Sequence, residues 1–359
     1  MFFPAVVSKL TSFLKHTVMT FVILILGFLF GSILQYAKLN RYNTISGVAT
    51  LDDLTVAKAI AVAIGVGVIL LNIEIGLGLA SYHVKPILVG GIIIGGLIFG
   101  AGMAILGYCP GTLPVSLGEG STDALVGLFG GLTGGLVYTL VLPLVQGVLG
   151  PDLGTVSLFS LTGNNPVLFY ALVFIIGAVF IAVAFGVDKL EKVRRNKRWL
   201  VAGTALAVLN AVVFSTAVTD RPIGASTTYP YLADLMAGLT QNSYFEKIEK
   251  PGHWEVIFLG GAFLSGLILS LIRKDFKIRL IHDNWKKYRG TSALPRIIWA
   301  FTGGFILIFG ARMAGGCTSG HVISGGMQLA VSSLVFAVFV FAGLLLTGRF
   351  FYGKSENKE

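Results

Sequence analysis

Charge is scarce in this chain. Only 12% of its residues are charged, about half the share of a soluble globular domain, which excludes an ordinary water-soluble fold. Cysteine is scarcer still, with two in 359 residues, so no disulfide framework is encoded. There is no CxxC pair and no P-loop, and neither a thioredoxin-like centre nor a nucleotide-driven pump is indicated. No haem or quinone ligand set is evident, and no metal or cofactor is called for. The ten-residue alternating segments of an outer-membrane barrel are also missing.

What remains is apolar. Hydrophobic residues make up 55% of the chain, and several runs reach the roughly 20 residues that span a bilayer. Nine spans are expected, near 17–36, 54–77, 86–106, 124–148, 167–187, 199–215, 256–272, 294–313 and 322–346. The fold class is therefore an all-α polytopic membrane protein. The segment before the first run is too long for a cleaved signal, so that run reads as a spanning helix.

The net charge of +10 does not point to nucleic acid. The basic residues gather in loops, at Lys192, Arg194, Arg195, Lys197 and Arg198 and again at Arg273, Lys274, Lys277 and Arg279. Such loops flank spanning helices on the cytoplasmic side, in contact with lipid headgroups. The stretch 150–166 has no lysine or arginine, and 219–252 is nearly balanced. The protein is expected in the inner (plasma) membrane, and counting spans from these loops gives its orientation. The N-terminus is outside and the C-terminus cytoplasmic. Lys9 and Lys15 run against this count, while Lys38 and Arg41 support it.

The two cysteines sit in glycine-rich breaks between apolar runs. One is Gly107-Tyr108-Cys109-Pro110-Gly111-Thr112, and the other is Gly315-Gly316-Cys317-Thr318-Ser319-Gly320-His321. The pattern Gly-x4-Gly-x-Cys precedes both. Around each break the order is the same: span, irregular polar stretch, span, span, break, span. The irregular stretches are 39–47 and 220–228. Residues 1–150 then form a first transmembrane repeat and 199–348 a second. A linker helix with its basic loop occupies 151–198, and a cytoplasmic tail 349–359. A single linker helix between two four-span halves turns one upside down relative to the other, the plan of many transporters.

Non-helical backbone at membrane depth must be buried in protein or line a cavity. A helix that starts after such a turn offers free N–H groups and its positive dipole end, which together suit an anion. A thiol there adds a soft, polarizable donor. Cys109, Pro110, Gly111, Thr112, Gly107, Cys317, Gly316 and Gly320 are therefore expected to form the constriction of a pore. Thr318 and Ser319 offer hydroxyls to an anion or cap their own helix. Arg312 either draws an anion inward or snorkels to the interface. His321 either caps the following helix or is a pore donor. Glu119 and Asp123 are read as caps of the helix that begins near Ala124. Asn43 lines the pore if 39–47 re-enters the membrane. The rival class is a membrane thiol enzyme or redox sensor, in which the two thiols exchange electrons or persulfide sulfur.

At these residues the chain resembles the YeeE/YedE family, bacterial transporters of thiosulfate and other sulfur compounds. The likeness rests on the second break with the preceding Gly310-Ala311-Arg312-Met313-Ala314, and on the first break followed by Leu117-Gly118-Glu119-Gly120. The resemblance implies an hourglass of two inverted repeats with short re-entrant helices. It implies inward passage of thiosulfate with transient S–H···S contacts, Cys109 and Cys317 being the two central cysteines. Many members carry a further cysteine in an Arg-aromatic-Cys stretch. Here Arg41-Tyr42-Asn43 stands there, and Asn43 offers N–H donors in place of a thiol. Family association also suggests a cytoplasmic rhodanese-like or sulfur-carrier protein as acceptor, and a selenium or other sulfur species as an alternative substrate.

Overall fold

A computed structural model describes residues 2–163, 165–191 and 196–353, with side chains from residue 16 onward. The expected basic cluster at 192–195, the tail 354–359 and the side chains of Lys9 and Lys15 lie outside the described residues. Among the described residues there are helices and no named strand. In chain order the helices are α1 (Phe2–Tyr36), α2 (Tyr42–Thr50), α3 (Thr55–Gly76), α4 (Val89–Leu106), α5 (Thr112–Gly118), α6 (Thr122–Leu149) and α7 (Leu158–Leu161). They continue as α8 (Pro166–Leu190), α9 (Arg198–Phe214), α10 (Thr228–Ala237), α11 (Ser243–Ile272), α12 (Asp283–Arg289) and α13 (Ala293–Met313). A π-helix follows (Thr318–Gly325), and then α14 (Val331–Tyr352). Eight of these are long and apolar enough to cross a membrane, and α9, with 17 residues, is a shorter apolar helix. The protein is a multi-pass membrane protein.

Most expected spans coincide with these helices to within three residues, the first of them with the apolar part of α1, His16–Tyr36. Two do not. The span expected at 256–272 begins instead at Ser243, because Glu246, Lys247, Glu249 and Lys250 dilute the apolar signal over its first turns. The last span begins at Val331, not at 322. Residues 318–325 form their own π-helix, and Leu329 then takes a left-handed turn (φ 52°) before α14 starts. Both irregular stretches lead into short helices, but the second, α10, starts only where 220–228 ends.

Before α8 come four of the candidate spanning helices (α1, α3, α4 and α6) with the short α2, α5 and α7; after it come three (α11, α13 and α14) with the shorter apolar α9 and the short α10, α12 and π-helix. The halves correspond as α1/α9, α2/α10, α3/α11, α4/α13, α5/π-helix and α6/α14. The packing repeats under that exchange. The central pair is α4 on α13. Then α6 packs on α13 as α14 packs on α4, α1 on α11 as α9 on α3, and α10 on α6 as α2 on α14. The linker α8 has no counterpart and lies against α3. Small residues let the central pair approach: a Cβ on Gly102 of α4 would meet the backbone of Leu307, and one on Gly310 of α13 the backbone of Phe99. With no hydrophobic drive between helices in lipid, such close van der Waals contact holds them together.

A buried ion cluster ties α8 to the bundle. Lys58 of α3 is 1% exposed, and its Nζ donates to Asp188 Oδ1 at 2.8 Å and to Glu191 Oε2 at 2.5 Å. Glu191 Oε1 also accepts the Leu54 N–H at 3.0 Å. Every charge in the cluster has a partner, as burial demands.

Candidate functional site

The first break starts where α4 stops. Gly107 caps α4 in the left-handed region (φ 78°), and its N–H donates to Met103 O. A side chain there would be strained and would also strike the Tyr42 ring. Cys109 and Thr112 then close a tight turn. Thr112 Oγ1 accepts the Cys109 N–H at 2.9 Å and donates to Cys109 O at 3.0 Å. Thr112 and Leu113 N–H also donate to Cys109 O, which starts α5. Pro110, which lacks an N–H of its own, accepts the Tyr229 hydroxyl at its carbonyl at 2.9 Å.

A buried arginine supports this break. Arg296 of α13 is fully buried. It donates to Leu106 O at 2.7 Å and Ile105 O at 3.4 Å, two carbonyls that the end of α4 leaves without helical partners. It also donates twice to Asp123 Oδ2, at 2.6 and 3.1 Å. The same carboxylate accepts from Tyr108 Oη at 3.2 Å and lies 3.0 Å from His282 Nε2. Asp123 is thus not a helix cap but the counter-charge of Arg296. Glu119 is not a cap either: it accepts from Gln35 Nε2 at 2.9 Å and faces Arg41 at 3.8 Å.

The second break repeats the turn. Gly315 follows the end of α13 with φ 73°, and Cys317 is extended before the π-helix. Its sulfur lies 3.1 Å from Ser319 Oγ. His321 does for α13 what Arg296 does for α4. Its Nε2 lies 2.8 Å from Ala314 O. A carbonyl only accepts, so Nε2 carries the proton. Nδ1 lies 3.0 Å from Ser333 Oγ. Both ring nitrogens are engaged, and His321 braces the helix before it instead of capping the one after it.

The two breaks meet at one cavity of about 70 Å³. Cys109, Gly111 and Thr112 line it from the first break, Thr318 and Ser319 from the second. Apolar side chains such as Phe30, Ile45 and Leu344 close the rest. Cys317 is 1% exposed and is not itself on this wall, but its sulfur lies against Ser319, which is. Both thiols are free. Thr318 Oγ1 is buried with no hydrogen-bond partner among the described residues, which is rare for a buried hydroxyl.

Other expected residues lie elsewhere. Arg312 is buried, 8% exposed, and does not snorkel. It donates to Tyr244 Oη at 2.8 Å, Thr227 Oγ1 at 3.2 Å and Ser226 Oγ at 3.4 Å. No carboxylate lies within ion-pair distance of it among the described residues. Asn43 borders a different, polar cleft of about 290 Å³ with Arg41, Glu119 and Asp283. There Asn43 Oδ1 accepts the Asn284 N–H at 3.0 Å, and Nδ2 donates to Asp283 at 3.3 Å. It ties α2 to α12, away from the cysteine cavity.

Three residues are legible only in the fold. Tyr229 of α10 is 2% exposed and donates to Pro110 O, next to Cys109. Glu255 of α11 accepts the Thr227 and Thr228 N–H groups at the start of α10, at 2.7 and 3.2 Å. Lys85, in the connector between α3 and α4, reaches the second break and donates to Gly315 O at 2.5 Å. Nothing in their neighbourhoods along the sequence marks them.

The sequence from residue 37 to 346 matches the family described as sulphur transport. The chain belongs to that family, the YeeE/YedE proteins. It is also 28% identical over 333 residues to the thiosulfate transporter TsuA of Spirochaeta thermophila, a match that covers 89% of this chain and 95% of that protein. In this sulphur transport protein Cys109 and Thr112 from the first break share one cavity with Thr318 and Ser319 from the second.

Proposed function

We propose that the chain is an inner-membrane permease that carries thiosulfate inward between two inverted repeats, residues 1–150 and 199–348. The N-terminus lies outside and the C-terminus in the cytoplasm. The reading rests on one observation: Cys109 and Thr112 from one break, and Thr318 and Ser319 from the other, line the same cavity, with Cys317 against Ser319. Thiosulfate has a soft terminal sulfur and hard oxygens. A thiol suits the first as a polarizable S–H donor, and hydroxyls suit the second. Arg312 and Lys85 supply positive charge on the side of the second break. Gly107, Pro110, Gly111, Gly316 and Gly320 shape the breaks so that backbone, thiol and hydroxyl face the passage. The sulfur then passes to a cytoplasmic rhodanese-like or sulfur-carrier protein. The test is growth of a bacterium that lacks its own sulfate and thiosulfate uptake, on thiosulfate as sole sulfur source. Expression of this chain should restore growth. A well-inserted chain that restores none would move the substrate to another sulfur or selenium species, or the protein to thiol exchange chemistry.

A further inference from the structure

The second break holds a cation that the first repeat contributes. Lys85 Nζ donates to Gly315 O at 2.5 Å. A Cβ built on Gly316 would overlap Nζ, and one on Gly320 would come within 3.3 Å of it. The ammonium thus occupies the hollow formed by Gly315, Gly316 and Gly320, the residues that surround Cys317. Among the described residues no carboxylate lies within 4 Å of it. The charged groups around it are Arg312 and Arg221, which repel it, and Glu255, which is already held by two backbone N–H groups at the start of α10. The positive charge here has no close counter-ion of its own.

The backbone carrying Lys85 is fixed. Lys85 O accepts from Ser332 Oγ at 2.9 Å. Two residues earlier, His83 N–H donates to Gln328 Oε1 at 2.6 Å. Two residues later, Ile87 N–H donates to Gly154 O at 2.9 Å. Only the four-carbon stem is free to swing, and a lysine ammonium on such a stem acts as a movable point charge. A carbonyl is a weak partner for an ammonium compared with an anion.

We propose that Lys85 is the specificity-determining cation of the second break: it leaves Gly315 O to meet the arriving anion and sets it against Cys317. The inference rests on the transport reading above. It also gives Gly316 and Gly320 a second purpose, since they leave the space in which the ammonium lies.

The experiment is uptake of radiolabelled thiosulfate into proteoliposomes by the wild type, Lys85→Gln, Lys85→Arg, Gly316→Ala and the Lys85→Gln/Gly316→Ala pair. Loss of one charge-assisted contact should raise KM about tenfold or more in Lys85→Gln, with the maximal rate little changed. Lys85→Arg should stay near wild type. Gly316→Ala should raise KM as Lys85→Gln does, and the pair should be no worse than Lys85→Gln alone. A KM for Lys85→Gln equal to wild type overturns the inference and leaves the transport reading standing, as do additive losses in the pair. A wild type without uptake overturns both. Should Lys85→Gln fail to insert, amine acylation of the wild type decides: thiosulfate should slow acylation of Lys85, read by peptide mass spectrometry. Unchanged labelling overturns the assignment.

Discussion

Replacing Thr318 by valine should make the protein no less stable and a poorer transporter. The hydroxyl of Thr318 is buried without a partner among the described residues, on the wall of the cysteine cavity. An unpaired buried hydroxyl costs about 1–3 kcal/mol. Valine keeps the branched shape and removes that penalty, so the expected change in stability runs from zero to a gain of about 1 kcal/mol. The cost falls on the guest. A hydrogen bond to a charged acceptor contributes about 1.5–3 kcal/mol, which is about 10- to 150-fold in affinity. Thr318→Ser keeps the hydroxyl and should keep most of the affinity. Thermal unfolding in detergent and the KM of uptake, measured on the same preparations, separate the two effects. A valine variant that melts earlier and transports with an unchanged KM would show that the hydroxyl serves the fold, and the reasoning would be wrong.

Two further outcomes follow from the charges. Arg296→Met should destabilise the folded protein by about 3–5 kcal/mol, because it strands the buried Asp123 carboxylate and frees Ile105 O and Leu106 O at the end of α4. The unfolding midpoint in detergent checks this, and a midpoint equal to wild type would remove Arg296 as the brace of the first break. Uptake should also depend on pH through Lys85. Burial of its head group pushes that ammonium down to about 8, with Cys317, Arg312, Glu255, Arg221 and His321 as its charged and titratable neighbours. The cation is present below that value and lost above it, so uptake should hold at pH 7 and fall as the pH rises through 8. Lys85→Arg, whose guanidinium stays charged, should hold uptake level over the same range. A wild-type profile that stays flat through pH 8 would contradict the assignment.

The spans are legible in the sequence because an apolar run of bilayer length is rarely anything but a membrane crossing. The breaks are legible because glycine, proline and cysteine cluster in them. The repeated order of spans and breaks is legible too, and the main helix contacts are arranged alike before and after α8. The remainder depends on distance along the chain. Lys85 lies 230 residues before its partner Gly315. Arg296 lies 190 residues after Leu106. Local pattern cannot link such pairs. Asp123 stands beside a helix start, where an acid usually caps, and only the fold shows Arg296 against it. His321 follows the second break in sequence, yet it turns back to Ala314, because the π-helix places its ring over the end of α13. The early turns of α11 are hidden because their charges mask a helix that hydropathy alone does not see.

The most direct measurement is uptake of radiolabelled thiosulfate into proteoliposomes holding the wild type, Cys109→Ala or Cys317→Ala, with equal amounts of inserted protein. The proposed passage, with Cys109 on the cavity wall and Cys317 against Ser319, predicts rapid uptake by the wild type and little above empty vesicles for either variant. Wild-type rates in both variants would contradict a passage built on the paired thiols.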